Sequence, residues 1–184
     1  MSRSYPYTIE NGAGERLTFL RRVPTPNGDR LEAENWVAPG SGPPMHTHYL
    51  QDEGFTVVEG RMAYQRAGGP VEYAGPGESA VFRRGEAHRF WNAGDTPLRC
   101  TGWLEPAHNF EYFLGHVFAS MQRGGAARPP AFDAAFLTRR YRSEFAMHVV
   151  PAAVQRFVFP LVVALGTLLG RYARYADAPA PVRQ

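Results

Sequence analysis

Three histidines and one glutamate carry the strongest chemical signal in the chain. His46 and His48 are separated by a single residue. On a β-strand, residues i and i+2 share a face, so both imidazoles can reach one point. Glu53 follows five residues after His48, and an unbroken strand would put it on the opposite face. Tyr49–Asp52 must therefore bulge or turn if the carboxylate is to join the histidines. His88 stands 35 residues further on, at the start of another apolar run. Three imidazoles and a carboxylate make a borderline nitrogen/oxygen donor set. It suits one divalent transition metal (Fe, Mn, Ni, Co, Cu or Zn) and does not suit Ca or Mg, which want all-oxygen shells. Four protein ligands leave one or two positions open on a five- or six-coordinate ion, as binding a substrate or O₂ requires.

The elements that must position these residues read as short strands. Runs at Arg16–Val23, Leu31–Val37, Gly54–Glu59, Arg61–Arg66, Val71–Ala74, Ser79–Phe82, His88–Asn92 and Leu98–Leu104 are separated by Gly- and Pro-rich turns. Such spacing predicts a sandwich or barrel. Gly60 and Gly85 sit at turns where a positive φ is expected. After Pro106 the pattern changes. Phe110, Phe113, Leu114, Val117, Phe118 and Met121 form one face of an amphipathic helix, ended by Gly124 and Gly125. Leu137, Tyr141, Phe145 and His148 predict a second helix, and Pro151 can open a third. Phe157–Gly170 is the most apolar stretch; at 14 residues with Pro160 inside it, it is too short to span a bilayer. It is expected to pack on the barrel or on a dimer mate, with interfacial membrane contact as the alternative. Its Gly166 and Gly170 have the GxxxG spacing of closely packed helices.

The rest of the chain narrows the chemistry. All 20 basic residues are Arg, so Schiff-base and pyridoxal phosphate chemistry are excluded for want of a lysine amine. Residues 1–120 carry a net −3 and residues 121–184 a net +6, and the simplest reading of the basic half is a solvated Arg-rich face. No phosphate loop, Ser-His-Asp arrangement or nucleic-acid motif is evident, so no nucleic-acid partner is expected. Cys100 is the only cysteine and reads as a small buried hydrophobe. With no intramolecular disulfide available and a polar Met1–Thr8 start, a cytoplasmic location is expected.

Other candidates are weaker. His108 reads as a helix-start or surface residue, and His116 and His148 as packing residues. Tyr49, Gln51 and Asp52 lie beside the ligands, either as supports of the site or as a solvated turn. The alternation His88, Phe90, Asn92 turns Phe90 inward beside His88. Phe55, Tyr64, Phe82 and Phe90 are the pocket candidates, with Arg66 available to hold an anion. Aromatic walls favour an apolar or aromatic substrate.

The arrangement around the four ligands resembles the two motifs of the cupin superfamily. Gly40, five residues, His46-x-His48, four residues, Glu53, six residues, Gly60 matches the first motif; Gly77, five residues, Arg83, one residue, Gly85, two residues, His88, three residues, Asn92 is similar to the second. Arg83 stands where the family usually has proline, which weakens the turn more than the ligand set. The resemblance covers about residues 30–105. It implies a mainly β fold, a cupin-type antiparallel β-barrel (double-stranded β-helix, jelly-roll-like) with C-terminal α-helices added, and commonly a homodimer. The expected organisation is a barrel over 1–106, a helical extension over 107–176 and a loose tail over 177–184. Three functions fit: a metal-dependent enzyme of dioxygenase or isomerase type acting on a small organic molecule, a small-ligand binding or sensor module with a structural metal, and a membrane-surface protein.

Overall fold

The computed structural model describes residues 4–183. Met1–Arg3 of the polar start and Gln184 of the expected tail lie outside the described residues.

Ten strands occupy the first 105 residues: β1 (Tyr7–Glu10), β2 (Glu15–Thr25), β3 (Gly28–Val37), β4 (His46–His48), β5 (Asp52–Glu59), β6 (Met62–Arg66), β7 (Val71–Ala74), β8 (Ser79–Phe82), β9 (Ala87–Asn92) and β10 (Leu98–Glu105). Most form where alternating apolar residues can be buried on one face. In β5, Phe55 and Val57 are buried and Val58 is exposed. Turn glycines separate the strands. At Gly60 φ is +87°, and an added Cβ would lie 2.8 Å from the Pro97 carbonyl, so both conformation and space demand glycine.

The strands form two antiparallel sheets. One has the order β1-β2-β3-β10-β5-β8; the other joins β4, β9, β6 and β7 to β11 (Phe145–Met147) from far along the chain. They face each other as a jelly roll and do not close into one hydrogen-bonded barrel. Val37, Phe55, Val57, Met62, Phe82, Phe90, Leu98 and Cys100 fill the space between them. The Cys100 thiol is pushed up to about 12 by burial.

The C-terminal part differs from expectation in two places. Helix α1 (Phe110–Gly124) follows the apolar stripe and lays Phe118 and Met121 on Leu17, Phe19 and Leu31. The second helix, expected to reach His148, is α2 (Ala131–Arg140) and stops at Tyr141; the chain turns and Phe145–Met147 pairs with β4 as β11. Helix periodicity failed here because Phe145 is buried by an edge strand, not by the helix face it extrapolates from. A π-helical turn over Val154–Val158 then runs into α3 (Phe159–Leu168). Within the chain this apolar helix leaves one face uncovered by the described residues: Leu161 is 71% and Leu168 85% exposed. The tail is strapped down, not loose. Arg140 donates to the Ala178 and Pro179 carbonyls, Ser143 to the Val182 carbonyl, and the Val182 N–H to Glu144. Among the described residues, no helix is long and apolar enough to cross a membrane.

Candidate metal centre

The four predicted ligands come from three strands on two sheets. His46 of β4 lies directly opposite His88 of β9, and His48 is two residues along β4. Glu53 arrives from β5 in the other sheet, so the expected bulge at Tyr49–Asp52 is a crossing from sheet to sheet. The crossing is pinned by the Tyr49 N–H donating to the Glu144 carbonyl. Gly54, next to Glu53, lies under the Trp103 indole; an added Cβ would come within 2.6 Å of the ring.

One carboxylate oxygen faces three ring nitrogens. Glu53 Oε2 is 2.9 Å from His88 Nε2, 3.7 Å from His48 Nε2 and 3.9 Å from His46 Nε2. All four donor atoms lie within 4.8 Å of one another. Two atoms bonded to one ion at about 2.1 Å stand about 3.0 Å apart when adjacent and about 4.2 Å when opposite, so the set is close to ligating separations and would draw inward around an ion.

The hydrogen bonds set the tautomers. A carbonyl only accepts, so His46 Nδ1 donates to the Pro44 carbonyl (2.8 Å) and His88 Nδ1 to the Glu86 carbonyl (2.9 Å). The Nε2 of each of these rings then faces Glu53. A lone pair facing a carboxylate oxygen at 2.9 Å requires a cation between them, either a proton on Nε2 or a metal ion. His48 is buried with neither ring nitrogen hydrogen-bonded among the described residues, and burial pushes its pKa down to about 3, which keeps its lone pair available. Burial opposes ionisation of Glu53, but His48, His46 and His88 outweigh it and hold its carboxyl well below the usual range. The donor set thus fits a transition ion. Phe82 stacks on the His88 ring at 4.0 Å and Phe145 meets the His48 ring edge-on at 5.5 Å, fixing both ring planes.

A cavity of about 110 Å³ opens beside the ligands. That is several times what one water molecule needs. Phe55, Phe90 and Trp103 line it from the jelly roll, Phe110 and Phe113 from α1, and Phe145 and Met147 from β11. Its polar lining beyond the ligands includes Glu15, whose carboxyl burial pushes up to about 7, and Asn35, whose Oδ1 is buried without a hydrogen-bond partner among the described residues.

The family model for the cupin domain matches residues 36–104. Over those residues the chain carries a cupin domain. A protein named "Oxidoreductase iacF" from Pestalotiopsis fici is 32% identical over 117 residues, 59% of this chain. The chain spans about half of that relative, 55% of its length. An uncharacterised double-stranded β-helix protein from Klebsiella pneumoniae is similar at 20% identity and a TM-score of 0.44, over 58% of this chain and 78% of that one. The capsular polysaccharide assembling protein CapF from Staphylococcus aureus is similar at 23% identity and a TM-score of 0.47, over 57% of this chain and 30% of that one.

The cupin domain departs from the plain motif at Arg83 without loosening the turn. The Arg83 N–H donates to Glu86, the Arg84 N–H to Asp52, and the Gly85 N–H to the His48 carbonyl. Asp52 therefore holds the second-motif turn against the ligand strand, and Arg84 and Arg83 keep its carboxyl below the usual range despite the opposing effect of burial. Of the pocket candidates, Phe55 and Phe90 line the cavity; Phe82 lies behind His88, and Tyr64 packs on Phe82 with its hydroxyl toward Glu72. Arg66 pairs with Glu72. His116 packs between Tyr112 and Tyr175; His148 lies beyond β11, with Nε2 2.8 Å from the Thr47 hydroxyl. Sequence reasoning missed Glu15 and Asn35. The signal for Asn35 was available: it is the polar residue on the inward parity of Leu31, Ala33 and Val37.

Proposed function

We propose that this cupin is a metal-dependent oxidoreductase acting on a small, largely apolar organic molecule that carries a hydroxyl or carbonyl group. The observation that carries the reading is the convergence of four donor atoms at the wall of an apolar cavity. The name of the fungal relative points the same way, for a protein of which this chain spans 55%.

A redox-active ion held by His46, His48, Glu53 and His88 would supply a Lewis-acid position and an electron path to O₂. The chain's own residues supply the rest. Glu86 and Pro44 carbonyls hold the His88 and His46 rings with Nε2 inward. Glu53 offsets part of the ion's charge. Aromatic walls exclude water, which strengthens every polar contact inside. Asn35 accepts a hydrogen bond from a substrate hydroxyl, and Glu15, near neutrality in its titration, holds or releases a proton at its carboxyl.

Elemental analysis tests the reading, with wild type beside His48→Ala and Glu53→Gln, each checked for folding by circular dichroism. About one transition ion per chain in wild type and about a tenth of that in the variants is expected. Metal-loaded protein should then consume O₂ with at least one member of a panel of phenols and apolar alcohols or ketones. Equal metal in all three proteins, or no O₂ uptake across the panel, would overturn it.

A further inference from the structure

The apolar helix after β11 has a second face that none of the described residues covers. Phe157, Leu161, Leu165 and Leu168 stand at offsets 0, 4, 8 and 11, one stripe of the helix, and are 65%, 71%, 50% and 85% exposed. Val158 and Leu169 widen it. The opposite face is already used: Phe159 and Gly166 are buried, and Gly166 lies so close to the Tyr172 hydroxyl that a Cβ there would stand 2.3 Å away. The Gly166 and Gly170 spacing therefore serves a contact inside the chain, and Gly170 ends the helix at φ +64°. A soluble surface rarely leaves so continuous an apolar ridge bare.

Charge decides what covers the ridge. Arg156 lies at one end and Arg171 at the other, and no Asp or Glu occurs from residue 145 to 176. Arg156 sits over the Phe157 ring and Arg171 over Phe132; neither makes an ion pair among the described residues. Pairing with a second copy about a twofold axis would set Arg156 against the second copy's Arg171 in an antiparallel arrangement, or each against its own equivalent in a parallel one. Both repel. An anionic lipid surface instead takes the leucines into its acyl boundary and the guanidinium groups at its phosphates. The helix is too short to cross, so it lies in the interface plane.

We propose that the ridge from Phe157 to Leu169, capped by Arg156 and Arg171, docks this protein on anionic phospholipid bilayers.

Co-sedimentation of the full chain with vesicles tests this. Phosphatidylcholine vesicles containing about 30% phosphatidylglycerol should bind about tenfold more protein than phosphatidylcholine alone, and salt near about 0.5 M should remove most of that difference. The double variant Leu161→Gln, Leu168→Gln should lose about tenfold in binding while its melting curve and metal content match wild type. Arg156→Gln with Arg171→Gln should bind both vesicle types alike. Recovery in the supernatant with and without phosphatidylglycerol would overturn the proposal. So would a dimer in light scattering that the leucine double variant dissociates, because a second copy would then own the ridge.

Discussion

Leu31, Ala33, Asn35 and Val37 share the inward face of β3, and Asn35 is the polar one. Its Oδ1 has no hydrogen-bond partner among the described residues, and an unmet buried acceptor costs on the order of 1–3 kcal/mol. If a substrate hydroxyl is its partner, the free protein should gain by losing it. Asn35→Leu is therefore expected to be neutral or to raise stability by about 1 kcal/mol, about 2–4 °C in melting temperature for a chain of this size. The same change should raise KM for a hydroxylated substrate about tenfold and leave kcat nearly unchanged, since the contact is uniform binding. Differential scanning fluorimetry with steady-state kinetics checks both; a melting temperature lowered by several degrees would show that Asn35 has a structural partner instead. At this scale the ligands were legible because two histidines one residue apart, a glutamate and a distant histidine form a dense local pattern. Asn35 was legible only as the polar residue on an inward face and Glu15 not at all, because what makes them informative is a cavity built by Phe110, Phe113 and Phe145, up to 130 residues away.

The elements before Pro106 followed the period-two pattern closely, because each strand buries one face against the other sheet and its register has one good solution. Helix α1 was equally readable from its stripe. What misled was the segment after α2, where the residue deciding the outcome is polar. Glu144 is fully buried, and its carboxylate accepts from Asn109 Nδ2 (2.7 Å), the Asn109 N–H (3.3 Å) and the Val182 N–H (2.9 Å). Its backbone carbonyl takes the Tyr49 N–H. One residue, by side chain and backbone together, thus ties the start of α1, the tail and the crossing that delivers Glu53, and it turns the chain into β11 where helix periodicity would carry on. Glu144→Ala removes the acceptor of three donors. The expected loss is about 3 kcal/mol, read by urea unfolding, together with faster amide exchange at Val182 than at strand β5. A loss below about 1 kcal/mol would mean that water replaces the carboxylate without penalty and that the knot is not what holds these elements together.

At the scale of the whole molecule, a barrel over 1–106 with a helical extension suggests two parts that fold separately. The contacts argue otherwise. The extension supplies Phe110, Phe113, Phe145 and Met147 to the cavity, a strand to the sheet that carries His46, His48 and His88, and the cover for Leu17, Phe19 and Leu31. A jelly roll stripped of these pieces would expose its cavity and an unpaired edge at β4. The chain is therefore expected to unfold in one transition. Its probes are conveniently divided: Trp36, Trp91 and Trp103 all lie before residue 106, and α1, α2 and α3 all lie after it. Tryptophan fluorescence follows the jelly roll while circular dichroism at the helical band follows the extension. Coincident urea curves from the two probes are the outcome that makes the extension part of the core. A helical signal lost well before the fluorescence change would make it an appendage, and the cavity wall beside the metal ligands would then have to be a surface that comes and goes.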